Sequence, residues 1–360
     1  MPERIFNFSA GPGTLPVEVL KQAARDIVNF NDTGIGLIEM SHRSKGFMAV
    51  AAEAEASLRE IMSIPDNFKV LFLQGGASTQ FAMVPMNLLA QGKRGVYLNT
   101  GTWSKKAIKE GKLFGEVEVA YSSEKDNFNH VPGAGDYKVT PGAEYLYFVS
   151  NNTIFGTQFH TFPKTDSYLV CDMSSDILSR PVDFSSFGLI FAGAQKNMGP
   201  AGCAVVIIRE DLLDRVPENT PTMFKYKTHA ETDSMFNTPP CFAIYTIGLV
   251  LKWLKGLGGI PVMEKMNREK AGILYDAIDS TDFYRGHALK ESRSFMNITF
   301  NLPTPELEAA FIKEATSRGF DGLKGHRSVG GCRASIYNAF PRDGVEKLVD
   351  FMREFERKNG

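Results

Sequence analysis

Cysteine and tryptophan are scarce in this chain. The four cysteines are Cys171, Cys203, Cys241 and Cys332. None forms a Cys-x-x-Cys pair, so nothing marks a zinc ribbon or a redox dithiol. Each lies in or beside an apolar stretch, as buried free thiols do, and this predicts a reducing, cytoplasmic setting. An excess of one charge sign is also missing. The formal net charge is −1 over 360 residues, and no basic run is concentrated enough to favour nucleic acid. No apolar stretch approaches the roughly 20 residues that span a bilayer. The start, Met1-Pro-Glu-Arg-Ile-Phe-Asn-Phe, lacks the apolar core of a signal peptide. No membrane role is therefore expected. There is no His-Glu-x-x-His, no Cys/His cluster, no internal repeat and no low-complexity linker, so no metal is expected either.

The remaining pattern is that of an ordinary globular protein, with 43% hydrophobic residues. Strand-like apolar runs fall near 69–73, 95–99, 116–120, 145–149, 167–171, 188–192 and 203–208. Helical patterns fill several gaps, notably 78–90 and 103–112. This alternation predicts an α/β sheet, seven-stranded and mostly parallel, with helices on both faces. A helical region from about 241 to 280 is interrupted at Gly256 and the Gly258-Gly259 pair. The last hundred residues read as a smaller α+β unit: a strand near 294–300, a helix opened by Pro303-Thr-Pro-Glu, a strand near 332–337 and a helix over 343–357. The expected division is a large domain over 15–258 and a small one formed by 1–14 and 259–360.

Chemistry concentrates at strand ends, where α/β sheets bind ligands. Lys196 follows the apolar run Gly188-Leu-Ile-Phe-Ala-Gly-Ala-Gln and precedes a glycine-rich turn. A lysine there is costly unless it is paired or chemically used. Asp172 ends the preceding strand. The pair suits pyridoxal phosphate: the lysine forms the Schiff base and the aspartate holds the pyridinium nitrogen. Gln74-Gly-Gly-Ala-Ser links a strand to a helix and offers a phosphate cup, with Ala77 and Ser78 as donors. A plain capped turn fits the same residues. Trp103 stands at a polar strand end where its ring can stack on a flat cofactor, or simply pack into core. Thr153 follows the 145–149 strand, within reach of a ring hydroxyl or of Asp172. Two basic clusters, Ser41-His-Arg43 and Lys324-Gly-His-Arg-Ser-Val-Gly-Gly-Cys-Arg333, suggest an anionic substrate with more than one charged group.

These blocks, in order and spacing, resemble the phosphoserine aminotransferase family of the class V aminotransferases. The resemblance rests on Phe6-Asn-Phe-Ser-Ala-Gly-Pro-Gly, Ser41-His-Arg-Ser-Lys45, Gln74-Gly-Gly-Ala-Ser, Thr102-Trp103, Asp172-Met-Ser-Ser, Ala194-Gln-Lys-Asn197 and Asn237-Thr-Pro-Pro. The most specific stretch is Gly325-His-Arg-Ser-Val-Gly-Gly-Cys-Arg-Ala-Ser-Ile-Tyr-Asn-Ala339.

The resemblance implies fold type I of the pyridoxal phosphate enzymes and a homodimer with sites at the subunit interface. It implies that Lys196 carries the Schiff base, Trp103 stacks on the ring, Asp172 pairs with the ring nitrogen and Thr153 bonds the ring hydroxyl. Ala77, Ser78 and Gln195 would bind the cofactor phosphate, with Asn237 and Thr238 reaching it from the partner subunit. Arg333 would hold the substrate α-carboxylate. His42 and Arg43 of the partner, with His326 and Arg327, would hold the substrate phosphate. Some family members carry an arginine where this chain has Ser78, so phosphate recognition here leans on Arg43, His326 and Arg327. The implied reaction moves an amino group from L-glutamate to a phosphorylated 2-oxo acid, 3-phosphohydroxypyruvate. Whether 4-phosphohydroxythreonine, of pyridoxine biosynthesis, also serves stays open. Two rivals fare worse. A cysteine desulfurase needs a mobile-loop cysteine, and a non-catalytic α/β binding protein has no use for Lys196 with Asp172.

Overall fold

The computed structural model describes residues 4–360. A short strand β1 (Phe6–Asn7) and the helices α1 (Val17–Val28) and α2 (Lys45–Met62) open the chain. Strands and helices then alternate as β2 (Phe68–Gln74), α3 (Gly76–Leu88), β3 (Arg94–Asn99), α4 (Thr102–Gly111) and β4 (Glu116–Ser122). Next come β5 (Tyr145–Val149), a tight hairpin of β6 (Asn151–Asn152) and β7 (Thr157–Gln158), then β8 (Tyr168–Asp172), β9 (Phe187–Gly193) and β10 (Cys203–Arg209). The helices α5 (Tyr226–Ala230), α6 (Cys241–Gly256) and α7 (Gly259–Asp279) lead to a final α+β section. It contains β11 (Arg285–Gly286), β12 (Asn297–Asn301), α8 (Pro305–Ser317), β13 (Phe320–Asp321), β14 (Cys332–Ser335) and α9 (Arg342–Asn359).

Seven strands form the main sheet in the order β2-β10-β9-β8-β5-β3-β4. All run parallel except β10, which lies antiparallel between β2 and β9. The mostly parallel α/β sheet expected from the apolar runs is therefore present. The central strands β5 and β9 are buried along their whole length, and β10 up to its last residue, Arg209, as continuous Val, Ile, Leu and Phe runs require when both faces are covered. One face packs on α2, α6 and part of α7 through Ala54, Leu58, Ile244 and Met263. The other packs on α3 and α4 through Phe81, Val84 and Ala107.

A second, antiparallel sheet has the order β11-β12-β14. It shares a core with α7, α8 and α9 in which Phe311 meets Phe300 and Phe355 edge to face and Phe351 packs tilted against Phe311 and Phe355. The chain start joins this unit, because β1 pairs in parallel with β13, Phe6 beside Phe320. Among the described residues no single helix is long and apolar enough to cross a membrane. The pair α6 and α7 meets such a test only jointly, and it is bent by 82°. Gly258, at φ +103°, makes that bend by adopting the left-handed conformation that other residues resist.

Candidate active site

Parallel pairing decides where the site lies. Because β2, β9, β8, β5 and β3 point the same way, their carboxyl ends meet along one edge of the sheet. Gln74, Lys196, Asp172, Thr153 and Trp103 each end or follow one of those strands.

Lys196 is the centre. Its Nζ donates to Thr153 Oγ1 at 2.8 Å and stands 5.8 Å from the centre of the Trp103 ring. Enclosure by protein lowers its pKa from 10.5 to about 8; the Asp172 carboxylate resists this fall and the Arg333 guanidinium adds to it. Asp172 is itself buried, which raises its pKa, while Lys196 and the bonds from Ser174 pull it back down. One of its oxygens accepts from the Ser174 amide at 2.9 Å, so this aspartate caps the turn that follows β8 while its charge acts on Lys196 without a direct bond.

Arg333 reaches the same point from the other sheet. On β14 it lies opposite Thr299 of β12, and its Nη1 donates to the Thr153 carbonyl at 3.4 Å. The loop before it carries His326 and Arg327. Burial lowers the pKa of His326, and the neighbouring charges of Arg333, Arg327 and Lys106 lower it further.

Helix α3 opens without a side-chain cap, after Gly75 at φ +92°. A Cβ on Gly75 would stand 2.3 Å from Thr79 Oγ1, so this turn needs glycine on two counts. Its first-turn amides, those of Ala77 and Ser78 included, are free to face an anion. Asn237 and Thr238 stand beside this turn within the same chain. Gln74 Nε2 donates to the Thr238 carbonyl at 2.5 Å, and Asn237 lines a cavity of about 330 Å³ with Gly75 and Thr79. His42 and Arg43 lie in an early loop and bond chiefly to each other, Arg43 Nε to His42 Nε2 at 3.3 Å. The fold of one chain thus joins Lys196, Asp172, Thr153, Trp103, Gln195 and the 326–333 segment, but leaves His42 and Arg43 apart from them.

The comparisons agree with this geometry. The family model for class-V aminotransferases matches residues 5–348. A phosphoserine aminotransferase of Desulfotalea psychrophila is 65% identical over all of this chain and 99% of its own length. The chain belongs to the class V aminotransferases, among the phosphoserine aminotransferases. The solved phosphoserine aminotransferase of Bacillus circulans subsp. alkalophilus superposes with a TM-score of 0.97 at 51% identity, covering 99% of both chains. A pyridoxal-phosphate-bound phosphoserine aminotransferase from Trichomonas vaginalis gives 0.93 at 42%, covering 97% of this chain and all of its own. As a phosphoserine aminotransferase, the chain is an enzyme whose cofactor is pyridoxal 5′-phosphate.

The residues present fit that group. Trp103 Nε1, Gln195 Oε1 and Arg333 Nε are buried around Lys196 without a hydrogen-bond partner, and the α3 amides lack a cap. An amine, a buried carboxylate, an indole face and an anion cup are what such a cofactor needs.

Several participants were not found by reading the sequence. The Ala10–Gly13 segment lies against the lysine: the Gly13 amide donates to the Gln195 carbonyl at 2.7 Å, and Tyr337 Oη donates to the Ala10 carbonyl at 2.5 Å. A Cβ on Gly13 would stand 2.7 Å from the Tyr337 ring. The glycines around Pro12 were the only local signal. Lys106 places its amine 4.5 Å over the Trp103 ring, one helical turn away on α4, and the i, i+3 spacing was its signal.

Proposed function

We propose that this enzyme transfers the amino group of L-glutamate to 3-phosphohydroxypyruvate, reversibly, giving 2-oxoglutarate and O-phospho-L-serine for serine biosynthesis. The observation that carries the residue roles is the short path from Arg333 through Thr153 to Lys196. It sets a carboxylate-binding guanidinium beside an amine poised to move a proton. Bound pyridoxal phosphate supplies the electron sink for the pair left when the substrate's α-proton departs.

Lys196 would carry that proton away from the α-carbon and return it. An amine with a pKa of about 8 is partly neutral near neutral pH, which a proton acceptor requires. Asp172 would hold the ring nitrogen protonated, Trp103 would cover one ring face, and Thr153 would bond the ring hydroxyl. The α3 amides of Ala77 and Ser78, with Gln195, would hold the cofactor phosphate. Arg333 would orient the α-carboxylate common to both amino acids. Arg327 and His326 sit on the same loop and would meet the second anionic group, a carboxylate in one half-reaction and a phosphate in the other.

Two copies would complete each site, Asn237 and Thr238 serving the cofactor phosphate and His42 and Arg43 the substrate phosphate of the partner. Large apolar side chains stand exposed near both segments: Ile38 is 61% exposed and Phe236 42%. A pairing surface there would bury them. The two sheets support a division near residue 258, and three buried free thiols suit a reducing cytoplasm.

The test is glutamate-dependent amination of 3-phosphohydroxypyruvate. Wild type should turn over and Lys196→Ala should fold without doing so; retained activity would end the proposal. Mixing Lys196→Ala with Asn237→Ala chains tests site sharing. Shared sites leave each mixed dimer one intact site and partial activity; no recovery would mean that each chain serves itself.

A further inference from the structure

Helix α7 carries a lysine that the reaction has not yet used. Lys270 is only 2% exposed, and no carboxylate pairs with it among the described residues. Its Nζ lies instead among backbone carbonyls: Tyr337 at 2.8 Å, Phe340 at 3.0 Å, Ile336 at 3.2 Å and Asn338 at 3.4 Å. Carbonyl oxygens only accept. A neutral amine would turn its lone pair toward one of them, so the cage selects the ammonium. Burial pulls the other way, toward a pKa of about 7. A lone buried cation is costly, and here that cost is concentrated on a single turn, residues 336–340.

That turn braces the active-site lysine on two sides. The Asn338 amide donates to Asn197 Oδ1 at 3.0 Å, and Asn197 directly follows Lys196. The Asn338 side chain is pinned in turn, donating to the Leu178 carbonyl at 3.1 Å and accepting from Asn267 of α7 at 2.8 Å. Tyr337 holds the Ala10 carbonyl, and the segment it anchors bonds to Gln195 through Gly13, directly before Lys196. Without the ammonium, four carbonyls would lose their common donor in a site closed to water, and the turn would shift to satisfy them.

We propose that Lys270 is a positioning residue for the transamination: its caged ammonium holds the 336–340 turn, and the turn sets where the Lys196 amine stands. This rests on Lys196 being the reacting amine. The Lys196→Ala assay tests that reading separately, so failure of one idea is not failure of the other. Arg333 is placed differently, by its own pairing with β12. Loss of the cage should therefore disturb turnover more than substrate binding.

The experiment compares Lys270→Gln and Lys270→Met with wild type as holoenzymes, well below their melting temperatures. The expected result is a kcat lower by about tenfold with a KM for glutamate within about twofold. The pH at which the bound cofactor changes its visible absorption should also move, since Lys196 sets it. In a cycle with Asn197→Ala, the two losses should overlap rather than multiply. Should the lysine variants fail to accumulate, Asn267→Ala removes one bond from the same turn and must show the same split, about twofold in kcat. A lower melting temperature with unchanged kcat and absorption would overturn the proposal and make Lys270 fold support alone. So would a KM that rises as far as kcat falls, or losses that multiply.

Discussion

Replacing Lys196 by methionine should stabilise the cofactor-free protein at neutral pH, even as it removes activity. The folded chain holds this amine at about 8 against an ordinary 10.5, so protonation costs the folded state something that the unfolded state does not bear. At about 1.4 kcal/mol for each tenfold change, the difference is worth roughly 3 kcal/mol below pH 8. Methionine keeps the length of the side chain without the charge, but forfeits the bond to Thr153, worth about 1 kcal/mol. The variant should therefore lead by about 2 kcal/mol at pH 7. Between pH 8 and 10.5 the unfolded lysine still binds its proton while the folded one has lost it, so wild type gains stability through that window. Above it the order reverses. Lys270, also buried, titrates in both proteins and cancels in the difference. Urea denaturation of both proteins at pH 7, 8, 9 and 10, at one protomer concentration, measures this directly. A difference that stays flat with pH would refute the reasoning, because it would mean that the amine keeps its ordinary pKa in the fold.

Other outcomes follow from single contacts. Arg333→Lys loses the two-pronged guanidinium and should raise KM for both amino acids by about tenfold to a hundredfold; a change for only one would reject its role on the shared α-carboxylate. Trp103→Leu should weaken cofactor retention by up to about tenfold in equilibrium dialysis, the value of one aromatic stack, and unchanged retention would place the indole elsewhere. Lys106→Met removes one of the charges that hold the His326 pKa down, so its ring-proton titration by NMR should move upward; an unmoved midpoint would separate the two residues. Gly13→Ala drives a methyl group to 2.7 Å from the Tyr337 ring and should cost about 1–3 kcal/mol in denaturant melts.

Much of this protein was written in local patterns. Limits of the seven main-sheet strands read from apolar runs agree with the structure within a residue or two, because strands covered on both faces leave continuous Val, Ile and Phe stretches. By contrast, β12 of the smaller sheet begins at Asn297, three residues later than its run suggested. Asp172 and Lys196 could be paired on paper, since each ends such a run and parallel strands bring their carboxyl ends to one edge. The break at Gly256 to Gly259 was equally visible, because left-handed backbone calls for glycine.

Other features have no local trace. The antiparallel insertion of β10 between β2 and β9 depends on pairing across more than a hundred residues. Arg333 meets Thr153 from 180 residues away. Lys270 looks, in sequence, like any lysine on an amphipathic helix. Only the return of the chain 66 to 70 residues later surrounds it with carbonyls. The sequence by itself determined which segments become strands, which residues end them and hence the type of chemistry. Tertiary structure alone decided how far each charge is taken from water and what then faces it. Those two quantities set the pKa of Lys196 and the hold of Lys270, because the energy of a buried charge depends on every group around it, whatever its place in the chain.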